Sequence, residues 1–334
     1  MQYLFFLFGE NIALAFSELN ALLEVFGIKA KVRLLDNLAF VEADVMSQKI
    51  VELCERSSLI RNASEVISEF KKFKLDDLKE LNWADIVDGS FCVRIKNNQS
   101  DFKLPEAKLA GPIWNALKKP KVNLDNPNTT IEFWPSKSAI IVSKLIWEYK
   151  PNKYSGREPK DRPAKTPVAL KPKLARLLIN LSRAKENEKL LDPFCGAGAI
   201  VAEAAVIGCK AMGSDFDKEM IARSKTNLNY LNLRYQVYLY DATKLSKKFK
   251  NIDAVATDPP YGKSTKVGAK NILDLYNKFL RESHKILKKD GYVAFIYPKK
   301  VKLEIDKKKW QIVDSAEMFV HGGLTRKVIA VKRL

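Results

Sequence analysis

The sequence predicts an α/β protein. We expect its C-terminal half to be a doubly wound domain with a mostly parallel seven-stranded sheet, and its N-terminal half to be an α+β region. Three observations support this fold class. A short apolar run, Leu190-Leu191, leads into a turn containing Gly196 and Gly198 and then into an Ala-rich helical run over residues 199–207. This order is that of the first unit of a doubly wound sheet. Further apolar runs that end near an acidic residue cover residues 210–214, 235–239 and 252–257. The N-terminal half alternates short strands with helices.

Taken in order, the N-terminal half is predicted to contain two small domains, residues 1–80 (ferredoxin-like) and 81–148. In the first, strands are expected at 1–8, 31–35 and 38–42, with helices at 11–26 and 44–54. In the second, strands are expected at 90–96, 129–134 and 138–146, with a helix at 103–117. Residues 149–167 are dense in Pro, Lys and Arg and are predicted to form an extended, semi-rigid linker to the domain at 168–334.

Composition restricts the class of partner. The 334 residues carry a formal net charge of +19, which favours an anionic partner such as nucleic acid, although a solvated lysine-rich surface is the alternative. The four cysteines are scattered and only two histidines are present, so we expect no metal site, no disulfide framework and a reducing, cytoplasmic location. The short apolar run at the N-terminus has no basic flank and is predicted to be a buried strand, not a signal peptide. We expect a monomer that does not span a membrane.

The turn Asp192-Pro193-Phe194-Cys195-Gly196-Ala197-Gly198 predicts a ligand site, because glycines there let the backbone approach a ligand closely. A dinucleotide site would require a third glycine, and position 201 is Val, so a nucleoside cofactor is favoured over a pyrophosphate one. Asp215 can accept both ribose hydroxyls, and Asp241 can accept from an adenine amine. Each aspartate alone could equally cap a helix. Together they predict a site for S-adenosylmethionine, and its candidate residues are Asp192, Phe194, Gly196, Gly198, Asp215, Phe216, Asp241, Ala242 and Asp258.

The second motif, Asp258-Pro259-Pro260-Tyr261-Gly262, follows a strand-like run and predicts methyl transfer to the exocyclic amine of a base. Such an amine is a weak nucleophile, because its lone pair is delocalised into the ring. A stiff turn can bind the amine N–H groups through the Asp258 carboxylate and the Pro259 carbonyl, and the prolines supply that stiffness. Asp258 can also accept the released proton. Tyr261 can stack on the base, so the predicted catalytic residues are Asp258, Pro259, Pro260 and Tyr261.

Basic residues surround both motifs. The predicted RNA contacts are Arg157, Lys160, Arg162, Lys165, Lys263 and Arg326. Aromatic neighbours in the linker could stack on exposed bases, but a solvated linker is the alternative. The segment 263–270 is predicted to be a loop that closes on the RNA.

From about residue 169 to 334, the chain resembles Rossmann-like methyltransferases that modify guanosine N2 in RNA. The residues that carry this resemblance are the two motifs above, Gly213-Ser214-Asp215-x-Asp217, and Leu324-Thr325-Arg326. It is most similar to the archaeal tRNA guanosine-10 N2-methyltransferases, which also carry an N-terminal THUMP domain. The pattern of elements over residues 81–148 resembles that RNA-binding domain. In one place the chain departs from the family, because Arg162-Pro163 is followed by Ala164-Lys165-Thr166 and not by aromatic residues and His.

The resemblance implies that S-adenosylmethionine is the donor, that S-adenosylhomocysteine is the product, and that a tRNA guanosine, at position 10, is the acceptor. The sequence leaves open whether one or two methyl groups are added and whether a small activator protein is needed. Three alternatives also remain open: N2 methylation at another tRNA or rRNA site, adenine N6 or cytosine N4 methylation in DNA, and a non-catalytic RNA-binding factor.

Overall fold

A computed structural model describes residues 1–96, 102–136, 138–166, 169–261, 271–321 and 324–334. It divides into two compact units. The first contains Met1–Leu7, Lys29–Glu55 and Ile60–Tyr149, and the second contains Phe8–Ile28, Arg56–Leu59 and Lys150–Leu334.

The strands, in chain order, are β1 (Gln2–Leu7), β2 (Ala30–Leu35), β3 (Leu38–Ala43), β4 (Ile60–Phe70), β5 (Phe91–Ile95), β6 (Thr129–Pro135), β7 (Ile140–Glu148), β8 (Lys189–Asp192), β9 (Lys210–Asp215), β10 (Gln236–Leu239), β11 (Ile252–Thr257), β12 (Leu287–Pro298), β13 (Trp310–His321) and β14 (Leu324–Arg333). The α-helices are α1 (Ile12–Val25), α2 (Ser47–Arg56), α3 (Trp83–Ile86), α4 (Glu106–Ala116), α5 (Pro172–Leu181), α6 (Ala199–Val206), α7 (Lys218–Tyr230) and α8 (Ile272–Ile286).

The first unit is built on one seven-stranded sheet in the order β2-β3-β1-β4-β7-β6-β5. Strand β4 pairs with β1 on one side and with β7 on the other, both antiparallel, and so joins the two halves of the sheet. The sequence analysis did not predict β4. The expected boundary near residue 80 therefore does not separate two sheets.

The second unit contains a seven-stranded sheet in the order β10-β9-β8-β11-β12-β14-β13. The pairs from β10 to β12 are parallel, and β14 pairs antiparallel with both β12 and β13. The predicted doubly wound, mostly parallel sheet is confirmed. Strand β11 is almost continuously buried, as expected for a central parallel strand covered on both faces.

Helix α1 belongs to the second unit, although the sequence analysis placed it in an N-terminal domain. Its buried Glu18 accepts hydrogen bonds from Ser58 N at 2.9 Å and Ser58 Oγ at 2.7 Å, from Leu59 N at 2.6 Å, and from Asn180 Nδ2 on α5 at 2.7 Å. A buried carboxylate with this many donors is well satisfied, so it joins α1 firmly to α5.

The predicted linker also differs from expectation. Tyr154 and Arg162 are buried at 4% and 3% exposure, and the backbone N–H and C=O of Ala164 both bond the Asn227 side chain on α7. The described part of the segment after Tyr149 therefore packs into the second unit and is not a free extended linker.

Candidate active site

The carboxyl ends of the parallel strands bring the predicted acidic residues to one edge of the sheet. Asp192 ends β8 and lies opposite Gly213 of β9, while Asp215 ends β9 and lies opposite Leu239 of β10. Asp258 directly follows β11. In doubly wound proteins, ligands bind at this edge.

The glycine turn is shaped by backbone geometry. Gly196 and Gly198 have φ values of 48° and 87°, in the left-handed region that favours glycine. At Gly198 an added Cβ would lie 2.6 Å from Ser224 Oγ on α7, so this glycine serves helix packing as well as backbone conformation. The Asn227 side chain donates to Ala197 O at 3.0 Å in the same turn and to Ala164 O at 3.1 Å.

Asp215 is fixed by this turn. Its Oδ2 accepts from Gly196 N at 2.9 Å, and its Oδ1 accepts from Asp217 N at 3.0 Å. Burial raises the pKa of Asp215, and these backbone hydrogen bonds oppose the rise by favouring the ionised form. Because each carboxylate oxygen can accept more than one hydrogen bond, both remain able to receive ligand hydroxyls.

Asp192 is more deeply buried, at 2% exposure. Its Oδ1 accepts from Thr257 Oγ1 at 2.6 Å and from Phe194 N at 3.2 Å. Burial raises the pKa of Asp192 to about 7, even though these two hydrogen bonds lower it. The sequence analysis missed Thr257, which only the pairing of β8 with β11 brings to Asp192.

Asp258 lies in a different environment. The Tyr261 hydroxyl donates to Asp258 Oδ1, and the guanidinium of Arg326 lies over the Tyr261 ring, 4.8 Å from its centroid. Burial raises the pKa of Asp258 to about 6, and the Tyr261 hydrogen bond and the Arg326 charge hold it down. At neutral pH the carboxylate is therefore mostly ionised and able to accept an N–H group.

The Pro-Pro turn has a support that the motif does not contain. The hydroxyl of Tyr276 on α8 donates to the Pro260 carbonyl at 2.9 Å. Tyr276 is fully buried on the apolar face of α8, and that helix begins with the Asn271 side chain accepting from Asp274 N. The sequence analysis did not predict this contact.

A cavity of about 330 Å³ opens between the glycine turn and the Asp-Pro-Pro-Tyr turn. Its lining includes Asp192, Phe194, Gly196, Met220, Asp258 and Arg162. Phe194, Gly196, Asp192 and Asp258 were predicted for the cofactor, and the structure brings them together. Asp215 adjoins this set through its hydrogen bond to Gly196.

The remaining predicted cofactor residues do not line the cavity. Phe216, next to Asp215, is 41% exposed, and Ala242 is buried. Asp241 caps a short helical turn: its Oδ1 accepts from Thr243 N and Oγ1, each at 2.8 Å, and its Oδ2 pairs with Lys244 at 3.5 Å. These contacts of Asp241 are those of a residue that caps a helix, which was the alternative interpretation of its position.

A comparison with known protein families identifies the domain that carries this site. Residues 159–328 match the RMKL-like methyltransferase domain, and this range contains the glycine turn, the Asp-Pro-Pro-Tyr turn and the cavity between them. The chain belongs to this methyltransferase family.

Similarity to known relatives of this methyltransferase covers the full length of the chain. It is 30% identical over 342 residues to a tRNA (guanine(10)-N2)-dimethyltransferase of Methanothermobacter thermautotrophicus, covering 100% of both chains. It is 29% identical to the enzyme of the same name from Methanocaldococcus jannaschii, covering 98% of both. Among solved structures, TrmN from Thermus thermophilus matches 100% of both chains with a TM-score of 0.57 at 20% identity, which supports the fold.

The structure corrects part of the predicted RNA surface of the methyltransferase. Arg162 is 3% exposed, and its Nε donates to Arg157 O at 3.0 Å. The Arg157 Nε bonds the buried Glu203 of α6 at 2.6 Å. Because these two arginines are engaged inside the unit, we remove them from the candidate phosphate contacts.

Of the other basic residues, Lys160 and Lys165 are exposed, and Arg326 is half-buried against Tyr261. Lys263, Gly262 and the rest of the predicted loop at 263–270 lie outside the described residues. Within the described residues, no helix is long and apolar enough to cross a bilayer. Nor do the His, Cys, Asp and Glu side chains described form a group of three that could hold a metal ion.

Proposed function

We propose that this methyltransferase transfers the methyl group of S-adenosylmethionine to the exocyclic N2 of a guanosine in tRNA. The observation that carries the proposal is the ionisable Asp258 of the Asp-Pro-Pro-Tyr turn, placed on the lining of the same cavity as the glycine turn. The names of two relatives that span nearly the whole chain support guanine N2 and tRNA.

On the donor side, the residues fit a nucleoside with a charged tail. Asp215 offers two fixed oxygens suited to the ribose hydroxyls, and the exposed Phe216 beside it offers a ring face suited to an adenine. Asp192 and Gly196 face the adjoining cavity. When bound, the sulfonium donor supplies an already activated methyl group, so the protein needs no nucleophile of its own.

On the acceptor side, Asp258 and the carbonyl of Pro259 would bind the two N–H groups of the amine. Asp258 would then take the proton released on transfer, directly or through water. Tyr261 and Tyr276 hold this turn in place, so the main contribution of the protein is positioning. Arg326 covers one face of the Tyr261 ring, and we propose that the target base stacks on the other face.

The first unit would bind the tRNA away from the reacting base. Residues 81–148 resemble a THUMP domain, and the end of α4 presents Trp114 at 45% exposure, followed by the exposed Lys118, Lys119 and Lys121. Exposed aromatic and basic side chains are suited to stacking on bases and contacting phosphates.

In the second unit, Lys160 and Lys165 remain candidate phosphate contacts. We propose a cytoplasmic monomer that methylates position 10 of the tRNA.

Methyl incorporation tests the proposal directly. Purified protein is incubated with isotope-labelled S-adenosylmethionine and unmodified tRNA transcripts, and the products are digested and mapped by mass spectrometry. We expect N2-methylguanosine or N2,N2-dimethylguanosine at position 10, and no label in a transcript with adenosine at that position. Label in duplex DNA but not in tRNA would favour the adenine or cytosine alternative and overturn the proposal.

A further inference from the structure

We infer that Arg162 is a donor-binding residue, whose guanidinium takes the carboxylate of the amino-acid tail of S-adenosylmethionine while Asp192 takes the ammonium group. The inference rests on the proposed function, because it assumes a donor with a zwitterionic tail. It assigns to Arg162 a role in the cavity in place of the phosphate contact that the sequence suggested.

The first argument is the position of Arg162. Its side chain lines the cavity together with Asp192, Gly196 and Asp258, yet only 3% of the residue is exposed. Arg162 lines this cavity together with residues of the glycine turn. A phosphate of a folded RNA does not reach a side chain this deeply buried, but a small ligand that fills the cavity does.

The second argument is the hydrogen-bonding capacity left on Arg162. Its Nε is used by Arg157 O at 3.0 Å, and across the described ranges its Nη groups have no hydrogen-bond or ion-pair partner. A guanidinium carries five N–H donors in a planar fork that matches a carboxylate. These groups are therefore available to a ligand in the cavity, and a carboxylate there would bind them through charge-assisted hydrogen bonds.

The third argument is that Arg162 is held in place. The Arg157 whose carbonyl it bonds is itself fixed by Glu203 of α6 at 2.6 Å and by Lys153 O at 3.0 Å. Gly198 is the N-cap residue of α6, so the same short helix anchors both the glycine turn and the segment that carries Arg162. Burial lowers the pKa of Arg162 and the charge of Glu203 raises it; an arginine remains protonated throughout the working pH range.

The fourth argument is the complementary charge across the cavity. Asp192 has Oδ1 engaged by Thr257 and Phe194, while Oδ2 has no hydrogen-bond partner in the described part of the chain. Burial raises its pKa to about 7, so a nearby ammonium group would favour the ionised form. In this cavity, Arg162 and Asp192 match the two charges of an α-amino acid, and Asp258, the second aspartate of the lining, is left for the acceptor amine.

Calorimetry on the full-length protein tests the inference with three ligands. These are S-adenosylhomocysteine, its analogue that lacks the carboxylate, and 5′-methylthioadenosine, which lacks the whole tail. For the wild type, loss of the carboxylate should weaken binding about tenfold to a hundredfold, the range for a hydrogen-bonded charged group. Equal affinity for S-adenosylhomocysteine and the decarboxylated analogue would overturn the inference whatever the variants do.

The variants Arg162→Met and Arg162→Lys are then compared with Lys160→Met, which removes an exposed charge from the same segment. Arg162→Met should weaken the binding of S-adenosylhomocysteine by a similar factor. Its affinity for 5′-methylthioadenosine should equal that of the wild type, which would also show that the site is folded. Arg162→Lys should retain part of the affinity for S-adenosylhomocysteine. Lys160→Met, which changes a proposed phosphate contact outside the cavity lining, should bind S-adenosylhomocysteine with the wild-type affinity.

Three results would overturn the assignment. If Arg162→Met weakened the binding of S-adenosylhomocysteine and of 5′-methylthioadenosine equally, Arg162 would have a structural role. If the affinity for S-adenosylhomocysteine were unchanged and tRNA binding were weaker, Arg162 would be an RNA contact. In either case the proposed function would stand. If the wild type bound neither S-adenosylmethionine nor S-adenosylhomocysteine, the inference and the proposed function would both fall.

Discussion

The two ends of the candidate site hold their carboxylates by different means. At the donor end, Asp215 is fixed by backbone N–H groups on both oxygens, from Gly196 and Asp217. At the acceptor end, Asp258 is held by a side-chain hydroxyl from Tyr261, which in turn lies under Arg326. A backbone cradle tolerates changes in neighbouring side chains, whereas the acceptor end depends on each of its side chains. We therefore expect substitutions at the two ends to change different measured quantities.

The largest effect is expected for Asp258→Ala. Removing the group that binds the amine and takes its proton should lower the single-turnover methylation rate by at least about a hundredfold, the low end for a positioned proton acceptor. The affinity for S-adenosylhomocysteine should change little, because Asp258 faces the acceptor. Rapid mixing with saturating donor and tRNA measures the rate, and calorimetry measures the affinity. A variant that reacts at nearly the wild-type rate would remove Asp258 from the chemistry.

A smaller effect is expected for Asp215→Ala, and it should appear in donor affinity and not in the methylation rate. Loss of the charged acceptor for the ribose should weaken donor binding by about 1.5–3 kcal/mol, or at least about tenfold. At saturating donor the single-turnover rate should stay within a few-fold of the wild type. Asp217→Ala is a matched control, since Asp217 caps α7 through its side chain and contributes only its backbone N–H to Asp215. Equal donor affinity in Asp215→Ala and the wild type would contradict the assigned ribose contact.

The placement of these carboxylates at one edge of the sheet could be predicted because the signals are local in the sequence. An apolar run, a turn and an aspartate are neighbours in the chain, and parallel strands bring their ends to one edge. The supporting residues could not be predicted in this way. Thr257 and Asp192 are brought together by strand pairing, and Tyr276 reaches Pro260 from a helix whose sequence shows only an apolar face.

The predictions for Arg162 and helix α1 differ from the structure for the same physical reason. Arg162 was assigned to RNA because it lies in a basic, proline-rich segment, but it is buried and donates to the carbonyl of Arg157, whose side chain bonds Glu203 far along the chain. Helix α1 was predicted with nearly the right bounds in an N-terminal domain, whereas the structure groups it with the second unit, where its Glu18 accepts a hydrogen bond from Asn180 on α5. Local pattern specifies an element, whereas long-range polar contacts decide which unit it joins.

The pH dependence of the reaction can test the acceptor end further. Asp258 must be ionised to accept an N–H group, and burial raises its pKa to about 6. The rate should therefore fall as pH drops through about 6. Arg326→Met removes a positive charge that holds this pKa down, so the acid limb should move to higher pH, with a several-fold loss near pH 6 that is recovered at about pH 8. Lys250→Met, the loss of an exposed lysine, should leave the profile in place. An unshifted acid limb in Arg326→Met would mean that Asp258 does not set it.

The smallest effect is expected for Tyr276→Phe, which removes one hydroxyl and keeps the buried ring. The lost hydrogen bond to the Pro260 carbonyl is worth about 0.5–1.5 kcal/mol, so the single-turnover rate should fall about twofold to tenfold. Because the turn loosens at the acceptor end alone, donor affinity should not change. Tyr238→Phe is the matched control, since its hydroxyl bonds Gln236 at 2.9 Å at an exposed position. If Tyr276→Phe weakened S-adenosylhomocysteine as much as it slowed transfer, the two ends would be coupled through α8, and the separation between a backbone-held donor end and a side-chain-held acceptor end would be wrong.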